Sequence, residues 1–387
     1  MAEARAYLDH NATTPLRPAA RESMLAALSE CGNASSIHAE GRAARARIES
    51  ARDQVAAFLG TEPKQIVFTS GATEALNLVL TPESEIAGVV PFEILLVGAG
   101  EHACVLSGHR FPTEAVEVLP LTPEGMLDLG ALDRALARHS GRRIMLALQA
   151  ANNETGVIQP VAAAAERVHA AGGVLVCDAV QAAHRIACDF ATLGADALAI
   201  SAHKLGGPQG VGALCFGAGR HHIRARLLRG GGQERGMRAG TENVAAIAGF
   251  AGALAGAEAD AEQQGLGRLR ERLENEVLRL APDAVFFGAG APRLANTLNF
   301  AVPGIEAQVL LMLLDLEGVA VSSGSACSSG KVKRSHVLEA MGIPSALAQG
   351  AIRVSLGWST KAEDLDLFGR AFEKAVRTVK ARHRPAA

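Results

Sequence analysis

The chain has almost no net charge. Its 38 Lys and Arg stand against 40 Asp and Glu, a balance of -2 over 387 residues. No broad field of one sign draws it to nucleic acid or to an anionic membrane surface. No apolar run approaches the roughly 20 residues needed to span a bilayer. The opening stretch MAEARAYLDHNATTP lacks a charged region followed by an apolar one, so no secretory signal is expected and the cytoplasm is the expected compartment. Six cysteines, at 31, 104, 177, 188, 215 and 327, form no CxxC pair. Their spacing suggests neither a zinc site nor, in a large cytosolic chain, a disulfide framework. Internal repeats and low-complexity linkers are absent too. The glycine-rich loop at 206–212 is followed by no Gly-Lys-Ser/Thr, so it is not a P-loop.

What remains is ordinary globular composition, 49% hydrophobic and 20% charged, long enough for one large domain and a smaller one. Pro18 opens a helix to about Leu28, and helical spacing recurs from Gly41 to Leu59. A grammar of β-branched run, polar loop and helix follows. Strands are expected at 66–69, 93–98, 144–149, 174–180 and 197–201, with helices after Ser70 and from Pro160 to Ala171. Alternation of this kind means βαβ units and a mainly parallel sheet. From about Ala245 to Leu280 the spacing predicts one long helix, with a break near Gly265 and Gly267. Strands TLNFAV, VAVSS and AIRVSLG, mixed with the helix EAQVLLMLLD and a closing amphipathic helix, then predict a smaller α+β unit.

The polar residues of the first half collect where strands end. Thr73 follows IVFT, His102 follows EILLVG, and Asn153 follows IMLALQ. Asp178 ends VLVCD, and Lys204 follows ALAIS. Singly, each has a plain explanation: a helix cap, a satisfied histidine, a solvated lysine. Together they belong in one crevice, because open parallel sheets bind ligands at the carboxyl ends of their strands. Their types suit pyridoxal phosphate (PLP). The turn SGAT leads into a helix N-terminus that favours a phosphate, with Thr73 and Ser201 as hydroxyl donors. Asp178 can keep a pyridine nitrogen protonated, Gln181 can reach a ring oxygen, and His102 can stack on the ring and move protons. Lys204 can form a Schiff base.

A second constellation is SSGSACSSGK, 322–331. Cys327 has only small polar neighbours, which reads either as a dispensable loop thiol or as a nucleophile on a mobile loop. A free thiol of pKa about 8.5 is only a few per cent thiolate at pH 7, so a nucleophile here needs a base, and His102 is the candidate. Arg353, on the strand AIRVSLG, can clamp a carboxylate. The basic segment GRHHIRARLLR (219–229) reads as a solvated face, with docking of an acceptor as its alternative.

The segment SAHKLGGPQGVGAL resembles the PLP-lysine segment of cysteine desulfurases, within the class V aminotransferase group. YLDHNATTP, GNASSIHAEGRAAR, FTSGATEALN, EHACVL, NNETG, CDAVQ, GGGQERGMRAGTEN, SSGSAC and IRVSLG resemble family segments in family order. The form SSGSAC is similar to the NifS/IscS-like branch. The resemblance implies an α/β chain of PLP fold type I (aspartate aminotransferase-like). Its large domain would cover 14–256, with a mainly parallel sheet between helices. Residues 1–13 and 257–387 would form the small domain that carries Cys327. It implies a homodimer, with Lys204 holding PLP covalently, His102 on the ring, Asp178 on the pyridine nitrogen and Gln181 on the ring oxygen. Ala72, Thr73, Ser201 and His203 would hold the phosphate, and Thr241 would reach it from the partner subunit. Asn153, Arg353 and Asn11 would bind the substrate carboxylate. Cys327 would form the persulfide, and in passing sulfur on would transiently ligate an iron–sulfur cluster; no resident metal is implied.

The implied activity converts L-cysteine to L-alanine and passes sulfane sulfur to an acceptor protein, an iron–sulfur scaffold, with no nucleic-acid or membrane partner. Selenocysteine lysis, amino transfer, or a non-catalytic docking role on the same fold are the alternatives. The chain stops at Ala387, soon after its closing helix, which leaves the mode of acceptor docking open. Ala202 stands where the family commonly has glycine.

Overall fold

The computed structural model describes residues 5–217, 219, 221–256, 259–323 and 334–382. A two-residue strand, β1 (Ala6–Tyr7), precedes helices α1 (Pro18–Leu28) and α2 (Ala39–Leu59). Strands and helices then alternate: β2 (Ile66–Thr69), α3 (Ala72–Val79), a short β3 (Ser84–Glu85), β4 (Ile94–Gly98), α4 (Ala103–Leu106), β5 (Val116–Leu119) and α5 (Leu129–Arg138). The pattern continues through β6 (Ile144–Gln149), α6 (Val161–Ala170), β7 (Val174–Asp178), α7 (Phe190–Leu193) and β8 (Ala197–Ser201). β9 (Gly212–Phe216) and β10 (His222–Ile223) lead to α8 (Val244–Ala255).

Seven of these strands form one sheet in the order β2-β9-β8-β7-β6-β4-β5. The run from β8 to β5 is parallel, and β9 is antiparallel to both its neighbours. Strand side chains alternate between faces. Leu146 and Leu148 of β6 enter one hydrophobic cluster, with α2, α5 and α6. Met145 and Ala147 enter another, with α3. Burial on both faces is why these strands read as near-continuous apolar runs.

The second half holds α9 (Ala259–Leu280), β11 (Val285–Phe286), β12 (Thr297–Ala301), α10 (Ala307–Leu316) and β13 (Val319–Ala320). After them come α11 (His336–Ala340), α12 (Ser345–Ala348), β14 (Ile352–Ser355) and α13 (Ala362–Arg382). β12 pairs with β11 and β14, and β1 pairs with β13. Leu8, Phe300, Phe368 and Phe372 share the core of this part. The mainly parallel α/β sheet and the smaller α+β assembly match the sequence-level expectation.

One expectation fails. The helix expected over 245–280 is two helices, and α8 ends at Gly256. Gly265 and Gly267 lie inside α9. A Cβ at Gly256 would lie 3.2 Å from Ala19 Cβ, because α8 is packed tightly on α1. Gly265 has nothing within 4 Å of its Cβ position. A glycine inside a long helix costs it only about 1 kcal/mol, too little to end it.

Candidate active site

The carboxyl ends of the parallel strands open on a cavity of about 460 Å³. Lys204 enters it from the turn after β8. Its Nζ donates to the carbonyls of Asn11 and Ala12, at 2.6 and 2.7 Å. The segment carrying those carbonyls wraps the lysine loop: Thr14 N–H donates to His203 O, Arg17 N–H to Gly206 O, and Arg17 Nε to Leu205 O. Glycine is required at 206, where φ is +87° and a Cβ would lie 2.6 Å from Arg17 Cγ.

Asp178 ends β7 beside Gln149, its register partner on β6. Its Oδ1 accepts the Val180 N–H at 2.9 Å. Burial holds the carboxyl above its usual range, against that hydrogen bond and the charges of His102 and Lys204. A cationic N–H in this cavity would bring the carboxylate back toward its normal acidity. His102 caps α4. Its Nδ1 accepts the Cys104 N–H at 3.2 Å and lies 3.0 Å from Cys104 Sγ.

Ser70, Gly71, Ala72 and Thr73 bring the start of α3 to the cavity wall, which Ser201 and His203 also line. The approach is close: a Cβ on Gly212 would lie 2.6 Å from Ile200 O and 2.8 Å from Gly71 Cα. The His203 ring lies 3.2 Å from Thr13 Oγ1, and burial, then the Lys204 charge, lowers its pKa to about 4.

Arg353, on β14, reaches the cavity from the smaller sheet. Its Nη2 donates to Asp9 Oδ1 at 2.7 Å and its Nη1 to Asn153 O at 2.9 Å. Its Nε is buried without a hydrogen-bond partner. Asn11 Nδ2 donates to Asn153 O and to Thr297 Oγ1. Gln181 Nε2 donates to Asn11 O at 3.1 Å, and its Oε1 accepts from Arg185. Burial lowers the Arg185 pKa to about 10, and Nη1 donates to Asn11 Oδ1 as well.

Eleven of the residues singled out in the sequence therefore line one cavity: Asn11, Ala72, Thr73, His102, Asn153, Asp178, Gln181, Ser201, His203, Lys204 and Arg353. Thr241 does not; it is exposed on this chain. Cys327 lies outside the described residues, as do part of the 219–229 segment and the end of the chain. Sequence reading passed over Ala12, Cys104 and Gln149, which also line the cavity. Gln149 was open to discovery, because it ends a strand as Asp178 does. Ala12 acts through its carbonyl, which no residue type announces. Glu101 was missed as well. It is fully buried, its Oε1 accepts the Gln149 N–H at 2.8 Å, and burial pushes its carboxyl well above the usual range.

The profile of the class-V aminotransferases matches residues 6–368. The chain belongs to the class-V aminotransferase family. It is 40% identical over 376 residues to an IscS-like cysteine desulfurase of Mycobacterium tuberculosis, covering 93% of each chain. It is also 40% identical to the cysteine desulfurase IscS of Dictyoglomus turgidum, covering 96% of this chain and 95% of the other. Among solved structures, a NifS-like protein from Rickettsia africae superposes with a TM-score of 0.86 at 32% identity, covering 97% of this chain and all of the other. The aminotransferase-like fold expected from the sequence is the one found.

Proposed function

We propose that this family member is a PLP-dependent cysteine desulfurase. The observation that carries the reading is that the backbone pairing at Ser322, five residues before Cys327 in sequence, joins a strand whose Arg353 lines the cavity. Ser322 and Arg353 exchange backbone hydrogen bonds, Ser322 N–H to Arg353 O at 3.1 Å and Arg353 N–H to Ser322 O at 2.6 Å. Arg353 lines the cavity. Cys327 is five residues beyond Ser322, a tether of at most about 18 Å. A tether of that length is long enough for a thiol to meet a substrate held by Arg353.

The cavity suits PLP on three counts. Asp178 is a buried carboxylate that a pyridinium N–H would stabilise. The N-terminus of α3 and the hydroxyls of Thr73 and Ser201 are donors for a phosphate, with His203 and Ala72 beside them. Lys204 presents the amine for covalent attachment. In this reading His102 lies against the ring, Gln181 faces the ring oxygen, and Thr241 comes from the second subunit of a homodimer. The division into 14–256 and 1–13 with 257–387, and a cytoplasmic location, belong to the same reading.

Bound PLP supplies an electron sink for ionising the Cα–H bond and breaking the Cβ–S bond. Arg353, with Asn153 and Asn11, would hold the carboxylate of L-cysteine. Lys204 Nζ takes the Cα proton. His102 is the base that helps form the Cys327 thiolate, which attacks the substrate sulfur. The bond to Cβ breaks as the S–S bond forms. One L-cysteine and the Cys327 thiol become L-alanine and a Cys327 persulfide. The persulfide passes sulfane sulfur to an acceptor protein, an iron–sulfur scaffold in keeping with the IscS-named relatives. Cys327→Ser should keep bound cofactor and stop release of alanine from cysteine, read by alanine assay. Sustained turnover in that variant defeats the assignment.

A further inference from the structure

Ser335 stands eight residues after Cys327 in sequence, and Ser335 and His336 are held to the turns beside the cavity by side chains. Ser335 is buried and caps α11, its Oγ accepting the Leu338 N–H at 3.1 Å. The same hydroxyl donates to Glu154 Oε2 at 2.5 Å. His336 donates from Nε2 to the carbonyl of Glu101 at 2.9 Å. Glu101 immediately precedes His102, and Glu154 immediately follows Asn153. One helix start is thus tied to both turns that present cavity residues.

Those turns are themselves rigid. Glu154 N–H donates to Asn152 Oδ1 at 2.9 Å, and Glu154 O accepts from Asn299 Nδ2 at 3.0 Å. Asn152 Nδ2 donates to Gly100 O at 3.0 Å, which links one turn to the other. Buried hydrogen bonds to a carboxyl group hold geometry strongly, because no water competes for them. The burial of Ser335 and Glu154 is costly unless each is satisfied by the other.

Resting on the desulfurase reading above, we propose that Ser335, His336 and Glu154 are positioning residues for sulfur transfer. They fix the start of α11, which follows Cys327 in sequence, against the turns carrying His102 and Asn153. None of the three touches the reacting atoms. Their contribution is the alignment of the thiolate with the substrate sulfur, a step in which a misplacement of about 1 Å can cost 10²-fold. Binding of the cofactor and of L-cysteine uses other side chains and should not depend on them.

The test uses purified holoenzyme with three variants: Ser335→Ala, His336→Phe and His336→Gln. His336 is exposed, so its replacement leaves both cores intact. Three quantities are measured: the thermal midpoint, the L-cysteine concentration that half-saturates the change in cofactor absorbance, and the single-turnover rate of persulfide formation on Cys327 by mass spectrometry. Ser335→Ala and His336→Phe should slow persulfide formation about tenfold with half-saturation unchanged. His336→Gln, which restores an N–H donor, should recover most of the rate. Unchanged rates overturn the proposal. So does a loss of rate that half-saturation follows in parallel, since that is general damage to the site. Wild-type enzyme that forms no Cys327 persulfide refutes the desulfurase reading, and this proposal with it. Wild-type enzyme that does, with variants matching it, refutes this proposal alone.

Discussion

The buried His10 makes the protein acid-labile by a calculable amount. Its side chain is fully buried, and its Nδ1 has no hydrogen-bond partner. Gly357 packs so closely that a Cβ there would lie 1.9 Å from Nδ1. Thr360 Oγ1 lies 3.3 Å from Nε2, and the Tyr7 ring meets the imidazole edge-on at 5.3 Å. Burial, then the charges of Arg185 and Arg17, lower the pKa to about 3. The unfolded chain binds this proton near pH 6.5. Between the two values the unfolded state holds a proton that the folded state refuses. Stability from this group is therefore complete above about pH 6.5 and falls as pH drops toward 3. Moving from pH 7 to pH 5 removes about 2 kcal/mol, from 1.36 kcal/mol per unit over the 1.5 units below 6.5. The assay is urea unfolding of wild type and His10→Gln at both pH values, followed by circular dichroism. Wild type should lose about 2 kcal/mol more than the variant between pH 7 and pH 5. Equal pH dependence in the two proteins would refute the reasoning. The consequence extends to the site, since His10 is followed by the two residues whose carbonyls hold Lys204.

Three further outcomes are expected. Lys204→Ala should leave PLP unattached, so that borohydride no longer fixes it to the protein; covalent fixation in that variant would mean another lysine carries it. Arg353→Lys should raise KM for L-cysteine about tenfold or more with a smaller change in kcat, because an ammonium cannot hold Asp9, the Asn153 carbonyl and a substrate carboxylate together. Gly212→Ala should lower stability by about 1–3 kcal/mol, read as a lower thermal midpoint, because its Cβ meets the backbone of β8 and of Gly71 rather than flexible side chains.

The parallel strands were legible because burial on both faces demands β-branched and apolar runs without interruption. Ile144–Gln149 and Ala197–Ser201 have the bounds that the residue types predict. The edge strand β5 was not legible: Val116–Leu119 is short, half-exposed and interrupted by Glu117, so it leaves no run. The end of α8 was misplaced because glycine content does not say which glycine is pressed against another helix. Most of the cavity lining was legible from one rule about strand ends. The N-terminal contribution was not, since Asn11 and Ala12 act on Lys204 through backbone carbonyls. Nor could residue types reveal that Arg353 and Ser322 are paired along the backbone.

Charge placement at the start of α3 shows what the segment after β10 contributes to the cavity wall. Glu74 sits in the first turn of α3, where its carboxylate would oppose an anion bound at that N-terminus. Arg238 removes the conflict, its Nε donating to Glu74 Oε1 at 3.0 Å. Glu74 Oε2 accepts the Ser70 N–H at 2.7 Å, so the carboxylate is turned toward the start of its own turn. Arg353 is balanced by Asp9 in the same way. Lys204 and Asp178 line the same cavity, and the Lys204 charge works against the burial that raises the Asp178 carboxyl. The 230–243 segment, which carries Arg238, thereby acts on the α3 end of the cavity within its own chain.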